Sequence, residues 1–208
     1  ADDGLTAGVI TGNGRAFCAG MDLKAFARGE DIGPLGTFIR KGSEKPLIAA
    51  IEGFALAGGC EIALTCDLLV ASEGSKIGIR EVKVGLFAAG GGVLRLPARV
   101  GYTKAMEMAV TGEPITAQEA LEAGMLSEVT ENGGALDAAI AWAERIAENA
   151  PLAVAASKVL VRAAAQGYDE DKLWEMQVPL NKKVFSSNDA KEGPVAFAEK
   201  RAPNWSGT

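Results

Sequence analysis

The stretch Leu47-Ile-Ala-Ala-Ile-Glu-Gly-Phe-Ala-Leu-Ala-Gly-Gly-Cys-Glu-Ile-Ala-Leu-Thr-Cys-Asp67 constrains the fold more than any other part of the chain. Its first five residues form an apolar run of strand length. A small-residue turn, Gly53 to Gly59, follows, and then an apolar helix from about Gly59 to Cys66. A strand, a glycine turn and a helix in succession aim unpaired N–H groups, at the positive end of a helix dipole, at whatever lies above the turn. Nothing bulky at Ala57, Gly58 or Gly59 keeps a ligand from the main chain. Glu61 adds a carboxylate in the first helical turn. Taken locally, two readings stay open for it: a candidate acid or base beside donors for a developing negative charge, or a first-turn Glu that only complements the dipole.

The rest of the chain extends this pattern. Ala7 to Thr11 reads as a strand and Gly12 to Gly20 as a glycine-punctuated turn. Gly12 and Gly14 lack the third glycine of a dinucleotide fingerprint, and no P-loop Gly-Lys-Ser/Thr follows. Ala19-Gly-Met-Asp-Leu-Lys24 leads into a helix through Phe26 and offers a second set of N–H groups around Met21. Glu30 to Glu44 reads as a mobile loop with a short helical piece. Leu68 to Ser72 and Ser75 to Ile79 are predicted strands. Glu81 stands at a strand end, where a solvated charge is the plain local reading. A triple glycine, Gly90 to Gly92, opens helical segments at Val93 to Val100 and Tyr102 to Thr111, broken near Pro97 and Gly101. Thr116-Ala-Gln-Glu119 has the capping-box pattern for a short helix ending at Gly124, and Leu126 to Thr130 is a last strand. From there the texture is helical: Ala135 to Asn149, Pro151 to Ala165, Asp171 to Ser186, and Asp189 to Lys200 after an Asn188-Asp189 cap. An α/β core over 1–133 and a helical region over 134–208 are therefore expected.

Composition removes several functions. The chain has 208 residues, a formal charge of −6 and no histidine. The negative balance argues against nucleic acid as partner. Without histidine there is no Ser-His or Cys-His nucleophile and no His-containing metal site, so proton transfer falls to carboxylates, Lys, Tyr or Cys. Cys18, Cys60 and Cys66, an odd set without a C-x-x-C spacing, are expected to be reduced, packed thiols of a cytoplasmic protein. No run has the length of a membrane span.

In this order, the motifs Ile10-Thr-Gly-Asn-Gly-Arg-Ala-Phe-Cys-Ala-Gly-Met-Asp-Leu-Lys24, Lys45-Pro-Leu-Ile-Ala-Ala50, Ala57-Gly-Gly-Cys-Glu-Ile-Ala-Leu-Thr-Cys-Asp67, Glu81-Val-Lys-Val-Gly-Leu86, Gly90-Gly-Gly-Val-Leu-Arg-Leu-Pro97, Thr111-Gly-Glu-Pro-Ile-Thr-Ala-Gln-Glu-Ala120 and Phe197-Ala-Glu-Lys-Arg201 resemble the crotonase (enoyl-CoA hydratase/isomerase) family over essentially the whole chain. The resemblance implies a spiral of ββα units with a C-terminal helical region, assembled as a homotrimer or dimer of trimers. It implies an acyl-CoA thioester substrate, with coenzyme A belonging to the substrate and no cofactor or metal. The oxyanion hole would be the N–H groups of Met21 and Gly58. Glu61 and Glu81 would be the catalytic pair that adds water across a 2,3 double bond, Glu61 as base and Glu81 as acid. Ala19, Met21, Asp22, Leu23 and Lys24 would contact CoA, Lys24 reading equally as surface. Phe197 and Lys200 would reach a neighbouring subunit's CoA. Three positions depart from the pattern: Ala57 replaces a glycine, Arg80 a proline, and Phe87-Ala88-Ala89 a Pro-Gly turn. The family's opening hairpin, Asn-Pro region and first helix have no counterpart here, and an incomplete N-terminal part of the fold is expected. A Δ3-Δ2-enoyl-CoA isomerase, using Glu81 alone, and a non-catalytic acyl-CoA binder are the alternatives.

Overall fold

The computed structural model describes residues 4–29 and 33–208. These divide into two compact units. One comprises Gly8–Ser43 and Leu47–Ala143; the other comprises Glu144–Thr208 with the short segments 4–7 and Glu44–Pro46.

The first unit is built on two sheets. Strands β1 (Gly8–Thr11), β2 (Leu47–Ile51), β4 (Leu68–Ser72) and β7 (Glu128–Thr130) form a parallel sheet in the order β1-β2-β4-β7. Strands β3 (Phe54–Leu56), β5 (Lys76–Gly78) and β6 (Ile115–Thr116) form the second, with β3 and β5 parallel and β6 antiparallel to β5. Strands buried on both faces need continuous apolar runs rather than alternation. Accordingly Ile48, Ala49, Ala50 and Ile51 of β2, and Leu69, Val70 and Ala71 of β4, are fully buried. Ile48 pairs with Leu68 and Ile51 with Ala71.

Helix α1 spans Leu23–Ala27, α2 Pro34–Lys41, α3 Gly58–Thr65, α4 Gly92–Thr111 and α5 Ala117–Glu122. The chain thus repeats one strand in the first sheet, one in the second, then a helix: β2-β3-α3, then β4-β5-α4. An abbreviated turn precedes them, in which Cys18 bridges in parallel to Ala55 and so extends the second sheet past β3. This is the ββα spiral that the resemblance implies.

Several elements differ from the sequence reading. Strand β3 lies inside what reads as a glycine turn, and β6 has two residues; both are too short to show a period. Helix α4 runs through Pro97 without the expected break there, while the expected break at Gly101 is present: two helical segments meet at a kink where Gly101 has φ 74° and ψ 165°, which suit glycine. Proline removes one ladder bond, which α4 tolerates here. Glu81 opens a 3₁₀ turn, Glu81–Val84, just beyond β5. Pro34–Lys41 is a full helix within the stretch read as a loop; Glu30, Asp31 and Ile32 of that stretch lie outside the described residues.

The second unit takes only the end of α6 (Ala135–Ala147), from Glu144 on, and then carries α7 (Pro151–Ala165), α8 (Glu170–Phe185) and α9 (Asn188–Glu199). Helices α7 and α8 pack on each other. The cap of α9 is Ser187, whose Oγ accepts from Ala190 N at 3.0 Å, not Asn188-Asp189. Asp189 is instead buried, and its carboxylate accepts from the N–H groups of Ser206 and Gly207 and from Ser206 Oγ. It thereby fastens an otherwise irregular C-terminal tail.

Candidate active site

Three neighbouring strand ends build the site. Cys18 N donates to Phe54 O and Leu56 N to Cys18 O, both at 2.9 Å; Ala57 N donates to Gly78 O at 2.9 Å. The segments leaving Cys18, β3 and β5 are therefore held side by side. They deliver Gly20–Met21, Gly58–Glu61 and Glu81, in that order, to the carboxyl ends of the second sheet's strands.

Close backbone approach explains the small residues. A Cβ on Gly59 would lie 2.1 Å from Cys18 O, and one on Gly20 would lie 2.9 Å from the Ala57 Cβ. Gly20 has a φ of 109°, and Ala57, a non-glycine residue, is held at φ 49°, ψ −125° as the N-cap of α3. That conformation costs an alanine on the order of 1 kcal/mol or more. Its result is a sharp entry into α3, with Gly58 as the first helical residue. A Cβ built on Gly58 would stand 3.8 Å from Met21 N, and one on Gly20 3.5 Å from Gly58 N. Two main-chain N–H groups from segments distant in sequence thus lie together. Neither donates to another group among the described residues. A pair of such donors at a helix head can hold one oxygen that carries negative charge.

One turn along α3, Glu61 is 6% exposed. Its Oε1 accepts from Gly92 N at 2.9 Å. The triple glycine makes room for this carboxylate: a Cβ on Gly90 would lie 2.4 Å from Glu61 Oε2, and one on Gly92 3.2 Å from Oε1. Burial raises the Glu61 pKa above the ordinary carboxylate value. The Gly92 N–H works against that rise, the Glu81 charge adds to it, and Gly90 and Arg95 oppose it. The two carboxylates are therefore close enough to feel each other. Glu81 is half-buried, and its Oε2 is fully enclosed without a hydrogen-bond partner. It borders a small pocket lined also by Ile79, Val82, Phe87, Ala88, Val93 and Ala109. Cys60, buried next to Glu61, has its thiol pushed well up by burial and by the charges of Glu81 and Glu61, so it stays protonated and non-nucleophilic.

The other sequence-predicted positions are exposed. Ala19, Met21, Leu23 and Lys24 face solvent around the N-terminus of α1, Met21 being 42% exposed. Asp22 caps α1, accepting from Lys24 N at 2.8 Å and Ala25 N at 3.3 Å. Phe197 and Lys200 belong to the second unit, at the end of α9; Phe197 is 87% exposed and Lys200 closes the helix at φ 55°. Among the described residues no three His, Cys, Asp or Glu side chains converge as metal ligands, and no helix is long and apolar enough to cross a membrane. Sequence reasoning missed the strained Ala57 and the Arg95–Thr65 pair behind Glu61. The only sequence signal for Arg95 is its place three residues after the triple glycine.

The family model for enoyl-CoA hydratase/isomerase matches residues 1–208. The enoyl-CoA hydratase EchA1 of Mycobacterium marinum superposes with a TM-score of 0.95 at 54% identity, covering 100% of this chain and 83% of that one. An enoyl-CoA hydratase of Mycobacterium tuberculosis H37Rv gives 0.93 at 52% identity, over 99% and 82%. Among curated proteins, enoyl-CoA hydratase EchA19 of M. tuberculosis is 42% identical over 95% of this chain and 78% of its own length. The carnitinyl-CoA dehydratase of Proteus mirabilis is also 42% identical, over 99% and 83%. The fold is the crotonase fold, and the chain belongs to the enoyl-CoA hydratase/isomerase family.

Proposed function

We propose that the chain is an enoyl-CoA hydratase, adding water across the 2,3 double bond of a 2-enoyl-CoA thioester. The observation that carries this reading is the convergence of two unengaged N–H groups, of Met21 and Gly58, with two carboxylates, Glu61 and Glu81, at adjacent strand ends. The N–H pair would hold the thioester oxygen as it gains charge, a contribution of ~3 kcal/mol per donor. Glu61 takes a proton from water as its oxygen bonds to C3. The electron pair of the double bond moves to C2 and the thioester oxygen as an enolate. Glu81, protonated at the start, delivers its proton to C2 as the enolate collapses. Water has then been added in full, and transfer of the proton from Glu61 back to Glu81 resets the pair. The Gly92 N–H fixes one Glu61 oxygen and leaves the other for water. Coenzyme A enters as part of the substrate, with the exposed surface of Ala19 and Met21 to Lys24 as its contact. The apolar lining beside Glu81 favours a hydrocarbon acyl chain over a cationic one, which would want an aromatic cage.

The exposed Phe197 and Lys200 support a homotrimer or dimer of trimers in which they meet a neighbour's CoA. That Cys18, Cys60 and Cys66 form no disulfide supports a cytoplasmic setting. One observation favours a second reading. Among the described residues Glu81 has a fully enclosed side-chain oxygen without a hydrogen-bond partner, as a single proton shuttle of a Δ3-Δ2-enoyl-CoA isomerase would. Loss of the conjugated enoyl absorbance, with Glu61→Gln and Glu81→Gln, separates the readings. A hydratase loses about 10²- to 10⁴-fold in kcat with either change. Near-normal isomerisation in Glu61→Gln selects the isomerase, and CoA-ester binding without turnover selects a silent binder.

A further inference from the structure

Glu61 is held from the front by Gly92 N, and its supports from behind converge on one side chain. Arg95, in the second turn of α4, is part-buried. Its Nη1 donates to Thr65 Oγ1 at 3.1 Å and to Gly90 O at 3.4 Å; its Nη2 donates to Ile39 O at 2.6 Å and to Arg40 O at 3.4 Å. Three separate segments meet on one guanidinium: the C-terminal ends of α2 and α3, and the turn that leads into α4. Two of them bear directly on Glu61. Thr65 Oγ1 lies 2.9 Å from the Glu61 carbonyl oxygen, to which it donates. Gly90 is the residue whose Cβ would collide with the Glu61 carboxylate, and Gly91 sits so close to Arg95 that a Cβ there would be 2.9 Å from Nη1.

We propose that Arg95 is the positioning residue of this site: its planar fork sets the distance between α3, which carries Glu61, and the Gly90–Gly92 turn that grips the Glu61 carboxylate. The claim deepens the hydratase reading, since it concerns the proposed base. A fixed fork with five N–H donors can address all three segments at once, whereas a lysine ammonium is a point charge that cannot. Charge acts in the same direction as geometry. The groups facing Glu61 are Glu81 from the 3₁₀ turn, Cys60 from α3 and Arg95 from α4, and Arg95 is the one cation that opposes the effects of burial and of Glu81. Arg99, one turn further along α4, supplies the contrast. It donates to Cys66 O at 2.6 Å and Asp67 O at 3.0 Å, where α3 has already ended.

The test compares Arg95→Gln, Arg95→Lys and Arg99→Gln in the full chain. The Glu61 carboxyl is titrated by ¹³C NMR, assigned by the signal lost in Glu61→Gln, alongside kcat and KM with a 2-enoyl-CoA. Arg95→Gln is expected to move the Glu61 titration to higher pH and lower kcat by about 10- to 100-fold, with KM changed by less than about threefold. Arg95→Lys is expected to return the titration towards wild type while recovering kcat only in part. Arg99→Gln is expected to leave both in place. An unmoved titration in Arg95→Gln, or equal losses in Arg99→Gln, overturns the proposal. Should Arg95→Gln not fold, full kcat in Arg95→Lys overturns the fork. The titration reads out whether or not enoyl-CoA is hydrated, so failure of the reaction assignment and failure of the positioning role are distinguishable.

Discussion

Two buried carboxylates, one in each unit, have opposite surroundings. Asp189 is 4% exposed, and its two oxygens accept from Ser206 N, Ser206 Oγ and Gly207 N. Glu61 is equally buried but has one close hydrogen bond, from Gly92 N to Oε1, and beside its other oxygen only the Gly90 backbone. A carboxylate whose acceptor sites are filled by fixed donors is a fastener. One with a site left over can bind and deprotonate a small molecule. Burial is common to both, so donor count, not burial, separates the fastener from the proposed base here.

The sharpest way to break this comparison is to crowd Glu61. Gly90→Ala places a Cβ 2.4 Å from Glu61 Oε2, and the expected result is a loss of about 100-fold in kcat with the fold retained, read by steady-state kinetics and circular dichroism. Asp189→Ala should do the reverse. Urea unfolding should show a loss of about 2–3 kcal/mol, from unsatisfied tail N–H groups, with kcat per folded molecule unchanged. Rate loss in the second and only stability loss in the first would reverse the assignment.

A smaller effect follows from the raised Glu61 pKa. A carboxyl whose pKa is higher folded than unfolded favours the folded state while it is protonated, below its unfolded value. That contribution is lost as pH rises through the folded value. Glu61→Gln is therefore expected to melt progressively higher than wild type as pH rises above about 4, the ordinary carboxylate value. In wild type the acid limb of kcat/KM should lie above the ordinary carboxylate range, because the base must be ionised. The smallest effect is expected at Ala57. Ala57→Gly relieves a positive φ while loosening the unfolded chain, for a net gain of roughly 0.5–1 kcal/mol in thermal or urea unfolding.

The two carboxylates were unequally legible in the sequence. Glu61 could be placed because strand, glycine turn and helix are local, and β2 falls at Leu47–Ile51 as its apolar run predicts. Helix α7 at Pro151–Ala165 and the Thr116/Glu119 capping box were readable for the same reason. Glu81 looked like a solvated charge, since only pairing of β3 with β5 brings it beside Glu61. Asp189 was taken for part of a cap, because its partners lie 17 and 18 residues away in a tail without pattern. Arg95 was missed entirely as a functional residue. Its acceptors are carbonyls and a hydroxyl 5 to 56 residues distant, and carbonyls carry no side-chain signature.

The donors proposed to hold the thioester oxygen belong to the main chain, and one comes from a residue whose side chain is 42% exposed. Position 21 is therefore two positions in one for evolution. Its N–H is set by Gly20 and by the Cys18 bridge to β3, so it survives almost any replacement that keeps the backbone path. Its side chain is left to drift, or to be selected for the shape of whatever acyl group lies against it. Among relatives, variation at this position would then record changes of diet rather than loss of the reaction, while the silent glycine before it carries the constraint.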